Sequence, residues 1–307
     1  MIAGPTTSGK TQFAIDLAKK YKGIIINGDS QQIYKGLSVL SSQPNKIDLK
    51  KVPHKLFNFL KFYKNFSVEK WFLLTKKEII KTIKKNKTPI IVGGTGMYLK
   101  ALINGLDIFP KVPLSIRKKG INLMSSLGPK KFYNNLKKEN PTCIYNINPN
   151  DKQRLIRSWE IFKVTRNSIY ELRKKNKKKM INGYLFLKIL IFPSKKKIYS
   201  NCEKRWNNML NLGAINEVRK IMIEEKVSKK RNFLKTIGFK ELKNYLEKKS
   251  NLEEASQKSI KSTKNYAKRQ YTWFKHQFSA NIVFKTEYSK NKRKKFLQEI
   301  ADKLLTI

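Results

Sequence analysis

An α/β fold is predicted, in which a parallel sheet is flanked by helices and carries a mostly helical insertion. Three observations predict it. The run Gly4-Pro5-Thr6-Thr7-Ser8-Gly9-Lys10-Thr11 fits G-x-x-x-x-G-K-[ST] in full and stands between a short apolar start and an amphipathic segment. That is the strand–loop–helix setting of a phosphate loop, so the sheet is read as P-loop NTPase-like. Two apolar, isoleucine-rich runs, Gly23-Ile24-Ile25-Ile26-Asn27 and Ile90-Ile91-Val92-Gly93-Gly94, are separated by helical patterning. Alternation of that kind builds a parallel sheet with helices on both faces. After Gly105 the alternation stops. Residues 111–180 show helical stretches divided by Pro113, Gly128-Pro129, Pro141 and Pro149, with no convincing strand. The organisation expected is therefore a catalytic core of residues 1–110 and 181–307, with 111–180 as the insertion; a loosely packed end of the same domain is the alternative.

The elements follow in order. Only Met1-Ile2-Ala3 precede the loop, so the first strand is very short or its true start lies upstream. The helix after the loop places Phe13, Ala14, Leu17, Ala18 and Tyr21 at spacings of three and four, one apolar face. Residues 67–87 are helical in pattern, basic on one side, and end before Pro89. The nine residues 184–192 are almost all apolar and read as a return to the sheet. From Lys195 onward the pattern is helical, with Gly213 and Gly238 as helix stops or turns. The stretch 289–295 is basic and expected to be mobile at its start. No internal repeat is visible.

Composition narrows the function. Apolar residues make up 40% and aromatics 11%, which excludes a disordered chain. No apolar run approaches the ~18–20 residues of a membrane span, and the opening residues do not form a secretory leader. A cytoplasmic protein is expected. The cysteines, Cys143 and Cys202, are too few and too far apart for a disulfide framework or a CxxC metal site. With His54 and His276 as the only histidines, neither a triad nor a histidine metal site can be built; His54 is read as a structural hydrogen-bonding residue. Sixty-eight Lys+Arg against 21 Asp+Glu give a formal charge of +47, which points to a polyanion partner. The joint excess of Lys, Asn and Ile also fits an AT-biased coding sequence that spreads lysine over every solvated face.

The chemistry gathers at three places. In the phosphate loop the glycines let backbone N–H groups converge on phosphate oxygens, and the helix N-terminus adds its positive end. Lys10 adds a point charge, and the Thr11 hydroxyl is placed to hold Mg²⁺. Asp29-Ser30-Gln31-Gln32 follows the 23–27 strand, at the strand end that faces the ligand crevice of an α/β sheet; Asp29 as a helix N-cap is the alternative. Gly93-Gly94-Thr95-Gly96 follows the other strand in the same way, with Thr95 either in the crevice or in a flexible turn.

In this order the motifs resemble the tRNA dimethylallyltransferase family, also called tRNA isopentenyltransferases. The matching pieces are GPTTSGKT at 4–11, GDSQQIYKGL at 28–37, Pro53-His54, IIVGGTGMYLKAL at 90–102 and PNDKQRLIRSWEIF at 149–162. EKRW at 203–206, TIGFKEL at 236–242 and YAKRQYTWF at 266–274 complete the set, which spans nearly the whole chain.

The resemblance implies that residues 4–11 hold dimethylallyl diphosphate rather than ATP, with Lys10, Thr11 and Mg²⁺ neutralising the leaving group. It places Arg205 near the diphosphate; a surface helix arginine is the alternative. It implies that Asp29 takes a proton from the N6 amine of the adenosine 3′ of the anticodon and that Thr95 aligns the two substrates. Contacts to tRNA would come from Asp29, Ser30, Gln31, Gln32 and Thr95, and from Arg117, Gln153, Arg154, Leu155, Ile156 and Arg157 in the insertion. Gln153 and Arg157, at i and i+4, share a helix face. Residues 233–238 and 268–274 are further candidates, with Trp273 and Phe274 read as core packing. The partners implied are the tRNA anticodon stem-loop and the small diphosphate, and a monomer is expected. The rivals are a small-molecule kinase, which needs a γ-phosphate site and an arginine-bearing lid, an enzyme prenylating free adenine nucleotides, and a non-catalytic nucleic-acid binder.

Overall fold

The computed structural model describes residues 1–307 except 63, 176–177, 226–235 and 306–307. The chain divides into two compact units, Met1–Ile103 with Asn182–Ile307, and Asn104–Ile181.

In the larger unit the first half runs β1 (Ile2–Ala3), α1 (Lys10–Lys20), β2 (Gly23–Asn27), α2 (Lys46–Lys51), β3 (His54–Lys55), α3 (Val68–Ile83), β4 (Thr88–Gly93) and α4 (Gly96–Asn104). The smaller unit holds β5 (Leu106–Asp107), α5 (Leu114–Glu139), a 3-10 turn (Pro141–Ile144), α6 (Lys152–Thr165), α7 (Ile169–Lys175) and β6 (Lys178–Lys179). The larger unit resumes with β7 (Ile189–Ile191), α8 (Lys195–Asn211), α9 (Ala214–Glu225), α10 (Phe239–Leu246), α11 (Leu252–Gln277), β8 (Ile282–Phe284) and α12 (Arg293–Leu304).

Six strands form one sheet in the order β3-β2-β4-β1-β7-β8, and each adjacent pair is parallel. The short β1 lies inside the sheet: Ile2 faces Val92 on one side and Ile189 on the other. All strands point the same way, so the loops after β1, β2 and β4 leave from one edge, which is where an open α/β sheet holds ligands. The face of α1 anticipated from its spacing is the buried one. Phe13, Ala14, Leu17 and Ala18 enter the main core, with Tyr21 packed at its margin. From the C-terminal side Phe296 of α12 stacks on Phe284 at 3.7 Å between ring centroids and meets Phe13 edge-on at 5.4 Å. Burying one such ring stabilises the fold by ~1.5–3 kcal/mol.

The structure corrects the sequence reading in three places. The smaller unit begins at Asn104 rather than 111, because β5 pairs antiparallel with β6 and belongs to that unit. That pairing also puts a short strand where none was expected. The apolar run 184–192 contributes only Ile189–Ile191 to the sheet. Its neighbours β1 and β8 are two and three residues long, so the ladder has no partner backbone for the rest, and Leu185 is left 93% exposed. The segment expected to be mobile near 289 is a 3-10 turn, Lys290–Lys292, leading into α12.

Within the smaller unit α5 breaks at Gly128, whose backbone is non-helical, with Pro129 opening the second half. Asp151 caps α6 by accepting from the Arg154 N–H at 3.1 Å. The unit has its own core, with Phe132, Leu136, Leu155 and Trp159 buried together.

Candidate active site

The phosphate loop is held open by its surroundings. Gly9 sits at φ 89° ahead of α1, and a Cβ there would come within 2.8 Å of the Tyr288 carbonyl oxygen. Only glycine meets both conditions at low cost. No side chain caps α1 and its first turn carries no acidic residue, so the N–H groups of that turn and their positive dipole end are not neutralised from within the helix. Thr7 has a left-handed backbone, φ 64°. Helix α8 secures it: the Thr7 hydroxyl donates to the Ile198 carbonyl at 3.2 Å, and Asn201 donates to the Thr7 carbonyl at 3.1 Å.

Two cations close on this loop. The Lys10 ammonium donates to the Pro5 carbonyl at 2.5 Å. Burial pulls its pKa down to about 7; the Asp29 carboxylate works against that shift and Arg205 adds to it. Arg205, on α8, donates to the Thr6 hydroxyl at 2.5 Å. The alternative of a surface arginine is thereby excluded. Burial lowers its pKa too, opposed by Asp29. The Arg205 Nε and the Ser8 hydroxyl are buried without a partner among the described residues. Buried donors left unmatched beside half-buried cations suit an anion with several oxygens.

Opposite the loop stands Asp29. Asn27, fully buried, braces it: the Asn27 Oδ1 accepts from the Asp29 N–H at 2.8 Å, and its Nδ2 donates to the Asp29 carbonyl at 2.9 Å and the Leu56 carbonyl at 3.0 Å. Trp71 of α3 donates its indole N–H to the Asn27 carbonyl at 2.8 Å and stacks on Tyr98 at 4.3 Å. The Asp29 carboxylate accepts from the Gln31 N–H at 2.9 Å. This is a turn rather than a helix N-cap, since residues 30–33 are not helical. Thr95 bridges the two crevice loops: its hydroxyl oxygen accepts from the Ser30 N–H at 2.9 Å and lies 3.2 Å from the Ser30 hydroxyl. The Tyr266 phenol lies near Thr95, and its pKa is raised, by burial first and by Asp29 second. The side-chain amide of Gln32 is engaged elsewhere, donating to the carbonyls of Ser41 and Ser42 at 3.1 and 2.8 Å.

The phosphate loop, Asp29, Gln31 and Arg205 line one cavity of about 410 Å³, whereas Thr95 and Ser30 lie outside its lining. Apolar side chains of Ala14, Ile15, Ile25, Leu40 and Phe57 complete the lining. His54 lines it as well, its Nδ1 paired with the Val52 carbonyl at 2.9 Å, and burial lowers its pKa. Among the described residues no group of three His, Cys, Asp or Glu could hold a metal by itself. Thr11 and Asp29 both line the cavity. The Thr11 hydroxyl beside a phosphate site would suit Mg²⁺, a hard cation that takes oxygen ligands.

In the smaller unit the expected RNA-facing residues separate. Gln153 and Arg154 are exposed on α6, with Arg154 paired to Asp151 at 3.2 Å. Arg117 and Arg157 both pair with the buried Glu160, at 3.2 and 3.1 Å. Leu155 was expected at the RNA and is corrected here: it is fully buried among Met124, Phe132 and Trp159, with no surface to offer a ligand. Ile156 packs at the margin of the same core. Of residues 233–238, positions 233–235 lie outside those described, while Thr236 and Ile237 line the cavity. In 268–274, Gln270 and Phe274 are buried, and Trp273 is half-buried against Gly96.

Sequence reasoning gave no role to Asn27, Tyr266 or Glu160, and it marked Gln270 only as one of the candidate stretch 268–274. Spacing along the chain shows which face of an element is apolar, not which distant partner a buried polar side chain meets.

Comparison with known proteins adds to this geometry. The IPP transferase family model matches residues 32–277. A tRNA dimethylallyltransferase of Pelagibacter ubique (strain HTCC1062) is 43% identical over 274 residues, covering 89% of this chain and 87% of that one. One from Rickettsia canadensis (strain McKiel) is 35% identical over 305 residues, covering 99% and 93%. Among solved structures, the full-length tRNA isopentenylpyrophosphate transferase of Bacillus halodurans aligns with TM-score 0.68 and 29% identity over 99% of this chain and 96% of its own. A eukaryotic dimethylallyltransferase acting on tRNA aligns with TM-score 0.81 and 26% identity over 99% and 78%. With a phosphate loop, an aspartate and an arginine lining one cavity, and with a family match over most of its length, the chain belongs to the IPP transferase family.

Proposed function

We infer that this protein transfers a dimethylallyl group from dimethylallyl diphosphate to the N6 amine of adenosine-37, next to the anticodon in tRNA, and releases diphosphate. The observation that carries the reading is that one cavity is lined together by an anion-seeking loop, a carboxylate and apolar side chains. A kinase would use the same loop, but the family shared with tRNA dimethylallyltransferases favours prenyl transfer.

The residues divide the work by their chemistry. The N–H groups at the start of α1, Lys10 and Arg205 bind the diphosphate oxygens and stabilise the charge that develops as the allylic C–O bond breaks. Thr11 would hold Mg²⁺, whose charge supports departure of the diphosphate. The apolar side chains take the five-carbon chain and keep water from the electrophilic carbon. On the acceptor side the adenine amine has a lone pair delocalised into its ring. As that nitrogen bonds the allylic carbon and the C–O electrons leave with the diphosphate, the surplus N6 proton passes to the Asp29 carboxylate. Ser30, Gln31 and Thr95 border the adenine, and Thr95 aligns it with the donor. The adenine must leave its stack to enter; Arg117, Gln153, Arg154 and Arg157 offer the guanidinium and amide groups that hold the surrounding RNA backbone. A tRNA substrate supports a cytoplasmic location. Among the described residues no helix is long and apolar enough to cross a membrane.

The test is to incubate the protein with Mg²⁺, labelled dimethylallyl diphosphate and unmodified tRNA with adenosines at 36 and 37, then digest and weigh the nucleosides. Prenylated adenosine, abolished when adenosine-37 is replaced and reduced ~10²–10⁴-fold by Asp29→Ala, is the expected result. Turnover of ATP or free AMP without labelled tRNA would move the protein to a rival class.

A further inference from the structure

Helix α11 carries a residue that ties the two halves of the cavity together. Gln270 is 7% exposed. Its Oε1 accepts from the Thr6 N–H at 2.8 Å, and its Nε2 donates to the Gly94 carbonyl at 2.8 Å. The orientation of the amide is dictated by its partners, since one is an obligate donor and the other an obligate acceptor. Thr6 belongs to the phosphate loop and is the residue that Arg205 holds through its hydroxyl. Gly94 immediately precedes Thr95, whose hydroxyl takes the Ser30 N–H beside Asp29. The approach is so close that a Cβ on Gly94 would overlap the Gln270 amide nitrogen. Tyr266, one turn earlier on the same helix, reaches Thr95 from the same side.

We propose that Gln270 is a positioning residue for prenyl transfer: its single amide sets the distance between the donor-binding phosphate loop and the acceptor-side Gly94-Thr95 turn. The proposal rests on the assignment of donor and acceptor to those two loops. In-line attack needs the amine and the allylic carbon held within ~3–3.5 Å, and a shift of ~1 Å costs on the order of 100-fold in rate. A rigid planar amide hydrogen-bonded at both ends fixes that spacing. Glutamate at the same position keeps an acceptor for Thr6 but turns a carboxylate oxygen on the Gly94 carbonyl, and so loses the second tie. Methionine keeps the volume and loses both.

The experiment compares the parent with Gln270→Met, Gln270→Glu and Gly94→Ala. Donor affinity is measured with a non-hydrolysable diphosphate analogue, and the single-turnover transfer rate with both substrates saturating. Exchange of the Thr6 amide proton is followed as well. The expected result is donor affinity within ~3-fold of the parent and a transfer rate lower by ~10–100-fold in each variant, with faster Thr6 exchange in the two Gln270 variants. Transfer at the parental rate in a folded Gln270→Met protein overturns the proposal, as does unchanged Thr6 exchange. Should Gln270→Met fail to fold, Gly94→Ala decides by the same split between rate and affinity. A parent that binds donor but transfers nothing to tRNA sinks the functional reading instead, and Thr6 exchange still judges the tie.

Discussion

Lys10 is where opposing electrostatic demands meet. Burial drives it towards the neutral amine, at a pKa of about 7, while Asp29 favours the charged form. A diphosphate needs the ammonium. The sign follows directly: below pH 7 the lysine of the free protein is already protonated, and above it binding must also take up a proton. Donor affinity should therefore be highest below pH 7 and weaken above it, by up to ~10-fold per pH unit. Donor titrations between pH 6 and 9 check this. Lys10→Arg, whose guanidinium stays charged over that range, should flatten the dependence even if it binds less well; a parent with no slope removes Lys10 as the titrating group. Asn27 shows the same scale from the acceptor side. It is a polar residue, wholly buried, and its hydrogen bonds hold the backbone of Asp29.

At the scale of the element, α6 has two faces with different tasks. Leu155 and Trp159 lie in the core of the smaller unit, whereas Gln153 and Arg154 stand in solvent. Leu155→Ala should destabilise that unit by ~2–5 kcal/mol, while Arg154→Ala should cost under ~0.5 kcal/mol, as read from denaturant unfolding. Equal costs would contradict the burial of Leu155. Glu160 adds a refinement, since a buried carboxylate orients Arg117 and Arg157. The helix thus prepares two cations rather than merely displaying them. In the larger unit α11 does comparable work, with Tyr266 and Gln270 four positions apart on one face.

For the whole molecule, charge dominates. A formal charge of +47 over 307 residues gives a field that attracts any polyanion, screened beyond ~10 Å at 0.1 M salt. The KM for tRNA should rise steeply with salt, linearly on a log–log plot, and much more than the KM for the small diphosphate. Arg117→Ala should lower the tRNA slope by about one while leaving the donor KM unchanged. An unaltered slope would mean that Arg117 touches no phosphate.

Local spacing and residue type account for the features legible along the chain. The phosphate loop is a contiguous run whose glycines and lysine act within one turn of chain. The β2 and β4 runs are continuous and apolar because both faces of a parallel sheet are covered. The position of Asp29 beside the cavity was legible because it lies just past the end of such a strand, and the family resemblance supplied the roles expected of Asp29 and Thr95. Pairings between distant positions came from the packed fold alone. Gln270 and Thr6 are 264 residues apart, and nothing in the stretch around Gln270 announces a buried amide aimed at a glycine loop. Strand length along 184–192 was likewise decided by the shortness of β1 and β8, because a strand needs a neighbour's backbone and not only its own apolar side chains. Leu155 sits within a polar, RNA-like motif yet belongs to a core, because a helix turns each successive side chain by about 100° and only the packed partner shows which way the apolar face lies.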